Sequence, residues 1–363
     1  MAMPQAGRAH ARQVPRTDAR SPVAPKGSAM FNRLIAVFAL IVLAGPAAAQ
    51  SALRVALDGP ISGATAPYVL AADSGLFAAE GLEVEIRPTR SGLDAMGRVS
   101  LGTYAAAVVD FPTFAEFLSM SAGSPLITAL VIHDRPAFAV VGLKSHGIAA
   151  VGDLAGHTMG YDSDSLIKNR VLNLANANGM KLADIGFVHR DPGALAAALA
   201  AGEVDAIVAQ SYEVLPDLDR LGVSPDDLTV LHMADNGLVL FGQVLVLNTE
   251  FARSHSSAVP KLLAAVIKGW QAAIENPDAA IAAIVARDAT LDAALESERL
   301  RMIVAENVLT PFVLENGMGV GTQARQEWNV AQLQDNPALI ASEDRSQFFN
   351  TDYLPSAKVR AMK

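Results

Sequence analysis

Cysteine is absent from all 363 residues. That excludes disulfides, thiolate metal sites, a cysteine nucleophile and a lipid-bearing cysteine at a leader cleavage point. Aromatic residues are scarce, at 6% of a chain that is 51% hydrophobic, so the apolar content rests on alanine and branched aliphatics. Basic residues are outnumbered, 28 Lys+Arg against 37 Asp+Glu. A net negative chain is ill suited to nucleic acid or to an anionic membrane surface. Long apolar runs are missing too. The longest, Leu34 to Ala44, has eleven residues, where a bilayer span takes about 20. No G-x-S-x-G elbow, H-E-x-x-H helix or G-x-x-x-x-G-K-[ST] loop occurs, and an enzyme is not expected. His133, His146, His157, His189, His232 and His255 have no metal-like spacing, so neither metal nor cofactor is expected. Gly317 to Gly321 follows a helical stretch rather than a strand, which reads as a loop.

What is present starts with an export signal. Arg33 supplies a basic flank, Leu34 to Ala44 the apolar stretch, Gly45-Pro46 a helix breaker, and Ala47-Ala48-Ala49 the small residues that a signal peptidase needs. Cleavage is expected after Ala49, with a periplasmic destination. The Arg- and Pro-rich lead before Met30 leaves open whether Met1 or Met30 is the true start. Removing residues 1–49 takes six basic residues and one acid with it, leaving 22 basic residues against 36 acids. About 314 residues remain, more than one core usually serves.

The rest alternates strand and helix, the mark of an α/β fold with mainly parallel sheets. Strands are expected near Leu53–Leu57, Leu82–Ile86, Ala105–Val109, Leu126–Ile132 and Phe138–Leu143, with a helix over Ala66–Ala79. A second unit repeats the plan, with strands at Thr158–Tyr161, Ile185–His189 and Asp205–Ala209. Gly102 to Asp110 and Gly202 to Gln210 run in parallel as helix stop, strand and polar strand end. Two such units predict a two-lobed α/β protein, each lobe a mainly parallel sheet flanked by helices. Residues 50–140 plus 245–363 form lobe 1 with C-terminal helices, and 141–244 form lobe 2. Phe138–Leu143 and Phe241–Leu247 bracket the second unit and are candidate crossings between lobes.

In open α/β sheets, ligands bind beyond the carboxyl ends of strands, where helix starts present N–H groups. Lobe 1 offers Asp58, Ser62, Gly63, Arg90, Asp110 and Phe111 at such ends. Lobe 2 offers Tyr161, Ser163, Ser165, Gln210 and Tyr212. Tyr161, Phe111 and Tyr212 could stack on a flat ligand, although Phe111 also suits a core, and Ser163 and Ser165 also suit plain helix caps. The acids Asp58, Asp110, Asp162 and Glu213 favour a ligand bearing hydrogen-bond donors or positive charge. Arg90, Arg135 and Lys168 are the nearby cations.

The stretch LRVALDGPISGATAPYVLAADSGLFAAEGLEVEI resembles the opening of substrate-binding proteins of ABC importers. It is most similar to the group spanning nitrate, sulfonate and taurine binders and thiamine-pyrimidine-precursor binders. AVGDLAGHTMGYDSDS resembles that family's D-L-x-G-K-x-x-G segment, with His157 in place of Lys. ALAAGEVDAIVA, KGWQAAIENPDAAI and the closing YLP are similar to later segments of the pyrimidine branch. The resemblance runs over residues 53–355 and implies a two-lobed α/β protein of the periplasmic binding type (type II), a ligand cleft between the lobes, and closure on binding. It also implies a monomer that hands a small polar solute to an inner-membrane permease and its ATPase. The pyrimidine branch usually carries L-D-W-x-P, whereas Leu57-Asp58 is followed here by Gly59-Pro60, so Asp58 is kept and the stacking tryptophan is not. A sulfonate-, nitrate- or taurine-type anion is the alternative solute. Two other classes share the resemblance: a sensor subunit, and a pyrimidine synthase that uses a lysine Schiff base and a cysteine-rich segment this chain lacks.

Overall fold

The computed structural model describes residues 52–121, 123–162, 165–319, 321–334 and 348–362. The leader, its expected cleavage point and Ser163 lie outside the described residues. Residues 51–363 form one compact unit, and no helix among the described residues is long and apolar enough to cross a membrane.

Among the described residues, ten strands make two five-stranded sheets. In chain order they are β1 (Leu53–Leu57), β2 (Val84–Pro88), β3 (Ala106–Asp110), β4 (Leu126–Val131), β5 (Phe138–Leu143), β6 (Thr158–Tyr161), β7 (Gly186–His189), β8 (Ala206–Gln210), β9 (Leu228–His232) and β10 (Gln243–Asn248). One sheet has the order β2-β1-β3-β10-β4 and the other β7-β6-β8-β5-β9. Within the first, β1 pairs in parallel with β2 and β3, while β10 runs antiparallel to β3 and β4. The second copies this arrangement, with β6 parallel to β7 and β8, and β5 antiparallel to β8 and β9. The doubled α/β plan read from the sequence is the plan of the molecule.

The two sheets exchange strands, and this moves the crossings. Phe138–Leu143 and the larger part of Phe241–Leu247 are not connectors but the antiparallel strands β5 and β10, each inserted in the sheet reached after a crossing. The chain crosses between lobes just before them, over residues 132–137 and 233–242. The two crossings are tied to each other: His133 N–H donates to the Gln243 carbonyl, and Gly242 N–H donates to the His133 carbonyl.

Fully buried strands read as short apolar runs, and Ala106–Val109 and Ala206–Val208 are of that kind. The glycine before each, Gly102 and Gly202, takes φ of 70° and 69°, a left-handed turn that ends the preceding helix without a Cβ clash. The same strands end alike. Phe111 N–H donates to the Gly242 carbonyl, and Ser211 N–H donates to the Ala137 carbonyl, so each lobe is pinned to one crossing at the equivalent residue. The helix expected over 66–79 is two helices, α1 (Ala66–Asp73) and a short turn at Leu76–Ala79, because Gly75 stands between them at φ 75°. β9 was not legible as a strand: Leu228–His232 lies in polar surroundings, and only its pairing with β5 makes it one.

Five further helices flank or bridge the lobes: α2 (Phe111–Met120), α3 (Ser165–Ala177), α4 (Ser211–Arg220), α5 (Val259–Glu275) and α6 (Ala293–Ile303). α5 buries one face, including Leu262, Leu263, Val266 and Trp270, in the core of the first lobe. A second buried cluster includes Val109 and Phe114 of the first lobe and Val140 and Val208 of the other, so the lobes share an apolar core.

Candidate functional site

Asp58 follows β1 at the carboxyl end of its sheet. Protein surrounds it, yet part of its surface remains accessible, the condition of a group at the base of a cleft. Burial, then the neighbouring Asp110, pushes its carboxyl up to about 7, against the pull of Arg170. Asp110 ends β3 and precedes α2. Its Oδ2 accepts from Arg170 Nη2 at 2.6 Å.

Arg170 lies on α3 in the other lobe, 5% exposed. The same Nη2 donates to Thr113 Oγ1 at 2.5 Å, and the guanidinium lies 3.9 Å from the centre of the Phe138 ring. Next to it, Asn169 Nδ2 donates to Glu116 Oε1 at 2.9 Å. One turn of α3 therefore bonds to β3 and α2 across the division between lobes.

The second lobe supplies Asp162, after β6, and Tyr212 and Glu213 at the start of α4. Tyr212 is 4% exposed, and burial, with Glu213 and Asp58 nearby, raises its phenol well above the ordinary range. Glu213 is exposed at the surface of that turn. Burial moves its carboxyl up to about 7, Arg299 opposes, and Asp58 and Asp162 add to the push. Water reaching its exposed face moderates that push. Asp58, Asp110, Asp162 and Glu213, two from each lobe, thus share one electrostatic neighbourhood.

Tyr68 and Gln243, 0% and 6% exposed, form a buried polar pair near Asp58. Tyr68 Oη donates to Gln243 Oε1 at 2.6 Å, and the tyrosine ring packs edge-on to Trp270, 5.9 Å between centres. Burial lifts the Tyr68 phenol well above its usual range, so it stays a neutral donor. Gln243 begins β10, directly after the second crossing, which links this hydrogen bond to the hinge.

The loop after Asp58 is closed by the protein itself. Gly63 N–H donates to Glu296 Oε2 at 2.5 Å. The loop lies so close to α6 that a Cβ on Gly63 would stand 2.2 Å from the Glu296 carbonyl oxygen, so glycine is required. Ser62 N–H donates to Thr65 Oγ1, and the Thr65 hydroxyl returns a bond to the Ser62 carbonyl. The amide expected to await a ligand at Gly63 is already engaged.

The remaining sequence candidates divide. Tyr161 is half-buried at the end of β6, edge-on to Phe187 and His189, with Lys168 Nζ 4.6 Å from its ring centre. Gln210 is the half-buried last residue of β8, opposite Phe138 in the β5–β8 pairing. Ser165 is the first residue of α3. Phe111 is a core residue: it is 0% exposed and packs with Phe114, Phe241, Phe348 and Phe349. Arg90 is a surface charge, its side chain 89% exposed and 3.9 Å from Asp94. Arg170, Tyr68, Gln243, Arg299 and Glu296 carried no strand-end signal. Each reaches the site from a helix or from the strand after a crossing.

Residues 63–280, more than half the chain, match the family described as NMT1/THI5 like. The formylaminopyrimidine-binding protein of Halalkalibacterium halodurans is 24% identical over 222 residues, 58% of this chain and 63% of that protein. The chain thus spans less than two thirds of that relative's length. The riboflavin-binding protein RibY of Chloroflexus aurantiacus is 26% identical over 312 residues, 80% of this chain and 82% of the relative. Among solved structures, the periplasmic aliphatic sulphonate binding protein SsuA of Escherichia coli superposes with a TM-score of 0.66 at 17% identity, covering 85% of this chain and 95% of that one. At that identity the likeness speaks to the two-lobed fold alone.

Proposed function

The chain belongs to the NMT1/THI5-like family, and from that premise we propose that it is the solute-binding subunit of an ABC importer. It takes a small polar solute between its lobes in the periplasm and delivers it to an inner-membrane permease and its ATPase. The observation that carries this reading is the approach of acids from both lobes: Asp110 acts on Asp58 within the first, and Asp58 and Asp162 both act on Glu213 of the second. A ligand bonded to both halves favours the closed arrangement by its extra contacts there, which is how such a protein signals occupancy.

The carboxyls also bear on the solute. With its carboxyl pushed up to about 7, Asp58 can hold or release a proton at neutral pH and so can accept from or donate to a ligand. A flat nitrogen heterocycle with amino groups, neutral or singly cationic, meets those needs. The names of the formylaminopyrimidine- and riboflavin-binding relatives point the same way. Gly59 leaves no aromatic side chain after Asp58, so the stacking surface would come from the half-buried Tyr161 instead.

Thermal-shift and calorimetric titration with aminopyrimidines, riboflavin, alkanesulfonates and nitrate tests the reading. An aminopyrimidine or flavin is expected to stabilise the protein, by about 2.7 kcal/mol at a hundredfold excess over Kd, and Asp58→Asn is expected to weaken that gain. A folded protein that no solute stabilises would sink it.

A further inference from the structure

The loop closure at Gly63 has an unusual partner. Glu296 on α6 is 2% exposed, and two donors hold its carboxylate. Gly63 N–H donates to Oε2 and Arg299 Nη1 donates to Oε1, the latter at 2.7 Å. Arg299 continues into the other lobe, where its Nη2 donates to both oxygens of Asp217 on α4, at 3.0 and 3.2 Å. Its Nε is buried without a partner. Arg299 also pulls on Glu213, which Asp58 pushes, so this group adjoins the acidic site.

A backbone N–H and a guanidinium converging on one point make an anion cradle, since both donate and neither accepts. Here the protein's own carboxylate fills it. An incoming sulfonate, nitrate or carboxylate would meet a buried negative charge where it needs donors. Like charges at such a distance in a poorly solvated site repel strongly.

We propose that Glu296 sets the sign of charge that the cleft accepts, acting as a built-in anion that occupies the Gly63–Arg299 cradle and shuts out anionic solutes. This rests on the reading of the cleft as a solute site. It deepens that reading by assigning exclusion of anions to one residue that lies more than two hundred positions from the loop it blocks. Glu296 touches no solute in this arrangement; it determines specificity by occupying donors.

Removing the carboxylate should convert the cradle into a working anion site. The probes are methanesulfonate and nitrate, followed by thermal shift and calorimetry on the full chain, with circular dichroism to confirm folding. Wild type should show no stabilisation by either anion. Glu296→Ala should gain anion-dependent stabilisation, its apparent affinity for methanesulfonate rising about tenfold or more, which is about 1.4 kcal/mol. Glu296→Ala combined with Arg299→Met should lose that gain. If Glu296→Ala does not fold, Glu296→Gln keeps the volume, removes the charge, and should show the same gain in weaker form. Wild type stabilised by either anion overturns the proposal, as does a folded Glu296 variant no better than wild type, or a gain that survives loss of Arg299. Aminopyrimidine titration of wild type runs alongside. Its failure, with the anion gain intact, would remove the proposed solute class and leave the cradle standing.

Discussion

At the residue scale the acidic site makes a claim about pH. Asp58 has a folded pKa of about 7, raised from an ordinary carboxylate value of 3.8. The folded state therefore binds more protons than the unfolded chain between those two values, and this carboxyl's contribution weakens stability as pH rises through the window. Asp58→Asn should accordingly raise ligand-free stability relative to wild type at pH 8 and lose that advantage toward pH 4. His133 works in the opposite sense. Burial lowers its imidazole from 6.5 to about 3, so stability falls on acidification between those values in wild type and variant alike. The difference between their denaturation midpoints, measured at each pH, isolates Asp58; a difference that grows toward low pH would refute the assignment. Asp58 and Asp110 were legible as strand-end acids because an apolar run stops at each. Arg170 and Glu296 were not, since a charged residue inside a helix carries no mark of what it reaches in three dimensions.

At the element scale the crossings govern what the lobes can do. Gly242 sits where the second crossing passes the first, and a Cβ there would stand 2.9 Å from both the Arg135 carbonyl oxygen and His133 Cβ. Gly242→Ala should destabilise the protein by about 1–3 kcal/mol, the range for overpacking a tight site. It should also perturb the Gly242 bonds to His133 and Phe111. Chemical denaturation gives the first quantity, and amide exchange at Phe111 and Gly242 the second; unchanged exchange would show that the crossings tolerate separation. Most strands could be read in advance within a residue or two, because buried strands of alanine and valine end sharply at glycine or at a polar residue. The crossings could not. An apolar strand looks the same whichever sheet receives it, and only the antiparallel pairings of β5 and β10 decide that.

At the scale of the whole molecule, bonds between lobes compete with the tendency to open. Arg170 to Asp110, Asn169 to Glu116, and Arg299 to Asp217 all join one lobe to the other. The first is the most buried, its side chains 6% and 16% exposed. Breaking a buried pair from one side costs about 3–5 kcal/mol, and here opening the lobes offers an alternative to bearing that penalty. Arg170→Met should therefore enlarge the ligand-free protein in small-angle X-ray scattering, and adding Asp110→Asn should restore part of its stability without restoring compactness. A variant that melts early but keeps its wild-type radius would mean that Arg170 only supports the core. The two-lobed plan itself was legible from the tandem repeat, down to Gly102 and Gly202. The latch was not, because it joins residues 60 positions apart.

The exchange of β5 and β10 imposes an order of assembly. Sheet β7-β6-β8-β5-β9 is drawn wholly from residues 138–232, whereas β4 meets its own sheet only through β10, at residues 243–248. A chain emerging amino end first can finish the later lobe while the earlier one still has an unpaired edge, since pairing across more than a hundred residues bears the larger loop-closure entropy. Pulse-labelled hydrogen exchange during refolding should find β5, β6 and β8 protected before β4, and simultaneous protection would contradict this. The lobe that begins the sequence is thus the last to be completed.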